Sequence, residues 1–320
     1  MNRKKRIGVI SLFSILLIAA VGCGNQEDTQ PKSNTLKVVT TFYPMYDFTK
    51  NVAGDKAEIT MLLEAGTDTH GYEPSAKEVT AISDADVFIY NSEEMEVWVP
   101  SVLDSIDTEN TVVINASEGI SLLESTEDPD EHEAEEQDHE EAEEQGHEVD
   151  PHIWLDPVLA QEEVSNIKEG LIAADPENKD VYETNAIDYN EKLQALDQEF
   201  EMAFSGATKR TFVTQHAAFA YLADRYNLEQ VSIAGISTEQ EPSPAKLAEL
   251  QDYVKENDIN YIYYAEASSS QIAETLANET GTQLEILNPV EGITTEDQEK
   301  GIDYIQVMKN NLAALQKSIN

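Results

Sequence analysis

Short apolar runs rich in β-branched residues alternate with helix-type stretches along most of the chain, and that alternation restricts the fold more than any other feature. Leu36–Thr41, Ala57–Leu63, Val87–Tyr90 and Thr111–Ile114 read as strands, with helices expected over Tyr43–Ala53 and near Ser75–Ser83. The pattern resumes at Thr211–Thr214, Val231–Ala234, Tyr261–Ala265 and Leu284–Leu287. Strands separated by helices need crossover connections, so each set builds a mostly parallel sheet flanked by helices. A chain of 320 residues has room for two such lobes. The expected class is therefore α/β with two lobes.

Between the two sets lies one long helical segment. Asp175-Pro176 supplies an N-cap and a proline at the first helical position. Tyr182, Ala186, Tyr189, Leu193, Leu196, Phe200 and Ala203 then recur at alternating steps of four and three, the stripe of a helix buried on one side. About 28 residues rising 1.5 Å each give a rod of roughly 42 Å, long enough to run along both lobes. A stiff connection of this kind argues against wide hinge closure, which needs loop-like positions to absorb the dihedral change. The expected organisation is a first lobe over 36–174, a linking helix over 175–206 and a second lobe over 207–320.

The N-terminus is different in kind. Arg3, Lys4, Lys5 and Arg6 precede the uncharged run Ile7–Val21, the layout of a secretory signal over residues 1–22. The run is shorter than the roughly 20 apolar residues of a membrane span. The chain's single cysteine, Cys23, follows in Ala20-Val21-Gly22-Cys23-Gly24, which resembles a bacterial lipobox, whose cysteine is lipid-modified and becomes the first mature residue. The plainer reading is an ordinary cleaved signal that leaves a free thiol. Residues 23–35, polar and aperiodic, read as a flexible tether. The expected location is therefore outside the cytoplasm, lipid-anchored to the cell membrane.

Charge excludes one large class of function. Lys and Arg number 20 against 63 Asp and Glu, a formal charge of −43, which disfavours nucleic acid and anionic lipid surfaces as partners because both recruit cationic proteins. Hydrophobic residues at 40% still suffice for packed cores. Fifteen of the acids fall in one insert, Glu124–Asp150, which has no base and carries His132, His139 and His147. Glu-Ala-Glu-Glu-Gln occurs there twice, at 133–137 and 141–145. Such a segment cannot build a core and is expected to be disordered. It reads either as a solvated loop or as a low-affinity metal collector, since neutral imidazole and carboxylate both ligate divalent ions.

The remaining histidines lie in other surroundings. His152 stands in Asp150-Pro151-His152-Ile153-Trp154-Leu155-Asp156-Pro157, a loop stiffened by a proline on either side. His70 follows the strand ending near Leu63, His216 closes the strand at Thr211–Thr214, and Glu266 closes the strand at Tyr261–Ala265. Ligands of open α/β sheets bind beyond the carboxyl ends of the strands. Three imidazoles and one carboxylate meeting there across a cleft between the lobes form a tetrahedral N/O set suited to Zn(II).

The chain resembles the metal-binding lipoproteins of bacterial zinc and manganese ABC importers, specifically the high-affinity zinc-uptake branch, from about Leu36 to the C-terminus. The resemblance rests on Thr69-His70-Gly71-Tyr72-Glu73-Pro74, Asp150–Pro157, Gln215-His216-Ala217-Ala218-Phe219-Ala220-Tyr221-Leu222-Ala223 and Glu239-Gln240-Glu241-Pro242-Ser243-Pro244. It implies two α/β lobes joined by one long rigid helix, with the metal site in the cleft between them. It further implies a carrier, expected to be monomeric and not an enzyme, that delivers zinc to an ABC permease with a cytoplasmic ATPase. The family's metal histidines carry over to His70, His152 and His216. Its fourth position varies between Glu, Asp and water and falls here to Glu266. An acidic, histidine-bearing insert just before the second histidine is typical of the zinc branch. The second-lobe cysteine pair found in some zinc members is absent.

Three other readings remain open at this level. A zinc hydrolase would keep water in the fourth position, but no His-Glu-x-x-His helix is present. A surface adhesin would equally use a lipid anchor yet gives no reason for three histidines at one cleft. Manganese or another divalent ion is the alternative cargo, although three imidazoles favour zinc over harder ions.

Overall fold

The computed structural model describes residues 35–64, 66–67, 69–124, 149–236, 242–265 and 269–319. Cys23, His132, His139, His147 and Glu266 lie outside the described residues, as do Glu239, Gln240 and Glu241.

The first sheet comprises β1 (Leu36–Thr40), β2 (Ala57–Met61), β3 (Val87–Tyr90) and β4 (Val112–Asn115), all parallel, in the order β2-β1-β3-β4. Helices α1 (Tyr43–Ala53), α2 (Ala76–Ser83) and α3 (Val99–Ser105) provide its crossovers. A short antiparallel pair follows, β5 (Leu123–Glu124) with β6 (Val149–Asp150). Helix α4 (Pro157–Ala174) and the long α5 (Lys179–Phe204) come next.

The second sheet holds β7 (Thr211–Thr214), β8 (Glu229–Ser232), β9 (Tyr261–Tyr264) and β10 (Gln283–Ile286), again parallel, in the order β10-β9-β7-β8. Counted from its own first strand, that order is the same as in the first sheet. Its helices are α6 (Ala220–Arg225), α7 (Pro244–Glu256) and α8 (Gln271–Thr280), and the chain closes through α9 (Thr295–Glu299) and α10 (Tyr304–Leu315). The α/β class and the paired parallel sheets agree with the sequence expectation.

Local chemistry explains where elements start. Ser75 opens α2 with a capping box: its Oγ accepts from Glu78 N at 3.4 Å, and Glu78 Oε2 accepts from Ser75 N at 2.7 Å. Asp156 caps α4, its Oδ1 accepting from Val158 N at 2.7 Å ahead of Pro157. Asp175 departs from expectation. A 3-10 turn at Pro176–Asn178 precedes α5, and the Asp175 carboxylate accepts from Asn178 Nδ2 and Tyr182 OH rather than from the helix backbone.

Three further boundaries differ from the sequence reading. The buried stripe of α5 ends on Phe204 instead of Ala203. Strand β8 starts two residues early, because Glu229 and Gln230 pair with β7 on polar side chains that carry no apolar signal. Glu124, Val149 and Asp150, counted with the acidic insert, belong instead to the β5/β6 pair, which brings the two ends of the insert together.

The buried face of α5 packs on α1, α4 and α10. Tyr189 OH donates to Asp47 Oδ2 of α1 at 2.7 Å, and Lys309 of α10 meets Glu199 at 2.7 Å. One hydrophobic core accordingly runs from the first sheet through α5 to Tyr263, Leu287 and Tyr304, while a smaller core fills the second sheet's α7 and α8 side. Among the described residues, no helix is long and apolar enough to cross a membrane.

Candidate metal centre

The carboxyl ends of the two sheets supply the loops of the site. Beyond β2, Leu62 N and Leu63 N donate to Thr40 O and Thr41 O, extending the ladder before the chain turns into the loop carrying His70. Beyond β7, Gln215 N donates to Tyr263 O at 2.7 Å, and the His216 carbonyl accepts from Thr214 Oγ1 at 2.7 Å and Gln230 Nε2 at 3.0 Å. His152 precedes a 3-10 turn, Ile153–Leu155, that leads into α4.

The three imidazoles converge, with ring centroids 4.9 to 5.4 Å apart. Their companion is Glu291, five residues past the end of β10. Its Oε1 lies 3.3 Å from His216 Nε2, 3.5 Å from His152 Nε2 and 3.9 Å from His70 Nε2. One ligand-capable atom from each of these four residues falls within 4.8 Å of every other. The side chains of His152, His216, His70 and Glu291 are only 0%, 7%, 10% and 14% exposed, so water screens their charges weakly.

Outer hydrogen bonds fix which nitrogen faces inward. Asp150 Oδ1 accepts from His152 N at 2.8 Å and lies 2.7 Å from its ring Nδ1. His216 Nδ1 lies 3.1 Å from the Gly235 carbonyl, which can only accept. Both rings therefore carry hydrogen on Nδ1 and, when neutral, aim the Nε2 lone pair into the centre. Those two Nε2 atoms stand 3.2 Å apart beside a carboxylate oxygen. With both rings neutral the facing lone pairs repel, and a proton or a metal cation between them resolves the conflict. Burial disfavours the charged form of His152, but Asp150 and Glu291 outweigh it and raise the ring to about 9. Burial likewise opposes ionisation of Glu291, yet hydrogen bonding and charge from His152 and His216 hold its carboxyl well below the usual carboxylate range. Metal binding at Nε2 of His152 therefore competes with protonation of the ring.

The loop of Glu291 is built as firmly. Asn311 Oδ1 accepts from Asn288 N at 2.8 Å, and its Nδ2 donates to Asn288 O at 2.7 Å. Asn288 Oδ1 accepts from Val290 N at 2.7 Å, and Val290 holds a left-handed φ of 62°, a strained conformation for a β-branched residue. Trp154, two residues after His152, donates its Nε1 hydrogen to Pro289 O at 2.7 Å, two residues before Glu291. Asp156 Oδ2 also receives Arg225 of α6 at 2.7 Å. The loops of His152 and Glu291 are joined directly.

Of the residues expected from sequence, His70, His152 and His216 come together; Glu266 lies outside the described residues. Glu291 was missed. The rule that found Glu266, a carboxylate just past a strand end, also applies to β10, but an Asn-Pro turn intervenes there and its direction is not legible in the residues alone.

The zinc-uptake complex component A (periplasmic) family, ZnuA, matches residues 38–318. The chain is 47% identical over 319 residues to the high-affinity zinc uptake system protein ZnuA of Bacillus subtilis, covering 99% of this chain and 98% of that protein. It is also 47% identical over 314 residues to the zinc-binding lipoprotein AdcA of Streptococcus pneumoniae, covering 98% of this chain and 61% of that longer protein. The Zn(II)-bound ZnuA-like domain of Streptococcus pneumoniae AdcA superposes with a TM-score of 0.75 at 46% identity, covering 89% of this chain and 98% of the domain. This chain belongs to the ZnuA family of zinc-uptake components.

Proposed function

We propose that the protein captures Zn(II) outside the cytoplasmic membrane and delivers it to an ABC permease powered by a cytoplasmic ATPase. The observation that carries this reading is the convergence of three imidazoles and Oε1 of Glu291 at one buried point, with His152 and His216 fixed in the metal-binding tautomer. Three nitrogens and one oxygen suit tetrahedral zinc better than manganese, which seeks more oxygen. Glu291 fills the position that a hydrolytic zinc site keeps for water, which favours carriage over catalysis. Zinc is therefore cargo.

In this reading His70, His152, His216 and Glu291 are the ligands, and one chain supplies all four, so a monomer suffices. The lobes 36–174 and 207–320 hold them from either side of the helix at 175–206. Cys23 carries the lipid anchor, a role supported by the lipoprotein name of AdcA. His132, His139 and His147 serve as weak collectors. The β5/β6 pair supports that role, since it sets both ends of their segment beside Asp150, two residues from His152.

Alanine at His70, His152 or His216, or glutamine at Glu291, tests the ligand set by competition titration of the metal-free protein against a zinc-binding dye. Each histidine change is expected to weaken zinc binding well beyond the ~10–100-fold typical of outer-sphere changes. Normal affinity in all four variants would exclude the cleft as the zinc site.

A further inference from the structure

One hydrogen bond divides the two oxygens of Glu291 between different tasks. Thr69 Oγ1 donates to Oε2 at 2.7 Å, whereas Oε1 is the oxygen nearest to the Nε2 atom of each histidine. Thr69 is 4% exposed, so water hardly competes for the bond, and its branched side chain has few rotamers in which to turn away. The contact spans 222 positions of sequence and joins the loop after β2 to the loop after β10.

We infer that Thr69 determines metal selectivity: by engaging Oε2 it keeps Glu291 a one-oxygen ligand, favouring four-coordinate Zn(II) over larger, oxygen-seeking cations such as Mn(II). The inference rests on the zinc-capture reading above. Hard divalent ions take more oxygen ligands than zinc, and the nearest extra ligand is the second oxygen of a carboxylate already bound. Turning Glu291 so that both oxygens face the ion removes the acceptor of a buried hydroxyl, which is costly when nothing replaces it. Zinc needs no such turn, because three nitrogens and one oxygen complete a tetrahedron. Thr69 acts through Glu291 without touching the ion, so it is a positioning residue.

Thr69→Val removes the hydroxyl at nearly constant shape, and Thr69→Ser retains it. Competition titrations of the metal-free proteins with Zn(II) and with Mn(II) give the affinity ratio. That ratio is expected to fall by about tenfold in the valine variant and to stay within about twofold in the serine variant. Co(II) substitution supplies a readout that general loosening would not mimic. The unaltered and serine proteins should show the intense visible bands of tetrahedral Co(II), and the valine protein the weaker bands of a five-coordinate ion. An unchanged ratio and spectrum in Thr69→Val would overturn the inference. So would a weak five- or six-coordinate spectrum in the unaltered protein, a measurement that holds even if the valine variant does not fold. If the unaltered protein has no tight zinc site, the zinc-capture reading itself fails; tight zinc with an unchanged ratio removes only the role of Thr69.

Discussion

Asp150 grips His152 twice, at its backbone nitrogen and at ring Nδ1, and its own carbonyl accepts from Tyr221 OH at 2.7 Å. The carboxylate both orients the imidazole and makes it a stronger donor toward a metal. Asp150→Asn keeps the size but loses the charge, and zinc affinity is expected to fall about 10–100-fold, less than in His152→Ala. Competition titration decides; affinity equal to the unaltered protein would mean that the ring is oriented by packing alone. The three histidines were legible in the sequence because strand ends and a proline-flanked loop leave few other reasons to place imidazole there. Glu291 was not. Its direction depends on Val290 at φ 62° and on Asn311 of α10, a contact 23 positions from Asn288, and neither has a local signature.

Element by element, the sheets were readable because parallel strands buried on both faces appear as unbroken apolar runs, as in Val87-Phe88-Ile89-Tyr90, buried throughout. The first two residues of the edge strand β8 and the β5/β6 pair escaped for the opposite reason, since Glu229, Gln230 and Glu124 make ladders with polar side chains. Helix α5 was found from its stripe, whose members are buried against three other helices and so repeat faithfully at helical spacing. Helix α4 shows how closely these elements meet. A Cβ added at Gly170 would lie 2.1 Å from Ile114 Cδ1 of β4, and Ile114 is itself buried. Gly170→Ala is expected to destabilise the fold by about 1–3 kcal/mol through overpacking. Urea unfolding of the metal-free protein measures it, and an unshifted midpoint would show that Ile114 can yield at no cost.

For the molecule as a whole, two sheets of identical strand order face one centre, and the elements that unite them include α5 and the bond from Trp154 to Pro289. Because the four side chains of the proposed ligand set are largely buried and their loops mutually bonded, the geometry favours a preformed trap over one that zinc assembles by wide lobe closure. The overall charge of −43 attracts cations generally but selects none of them, so selectivity falls to the cleft. In the proposed function these two roles are separate: one tight zinc site made by His70, His152, His216 and Glu291 works independently of the acidic insert. Calorimetric titration of the metal-free protein lacking residues 125–148 tests it most directly. The expected result is one zinc bound per chain with the affinity of the full protein. Loss of the tight site in that deletion, with tight binding retained when the three cleft histidines are replaced by alanine, would contradict the account.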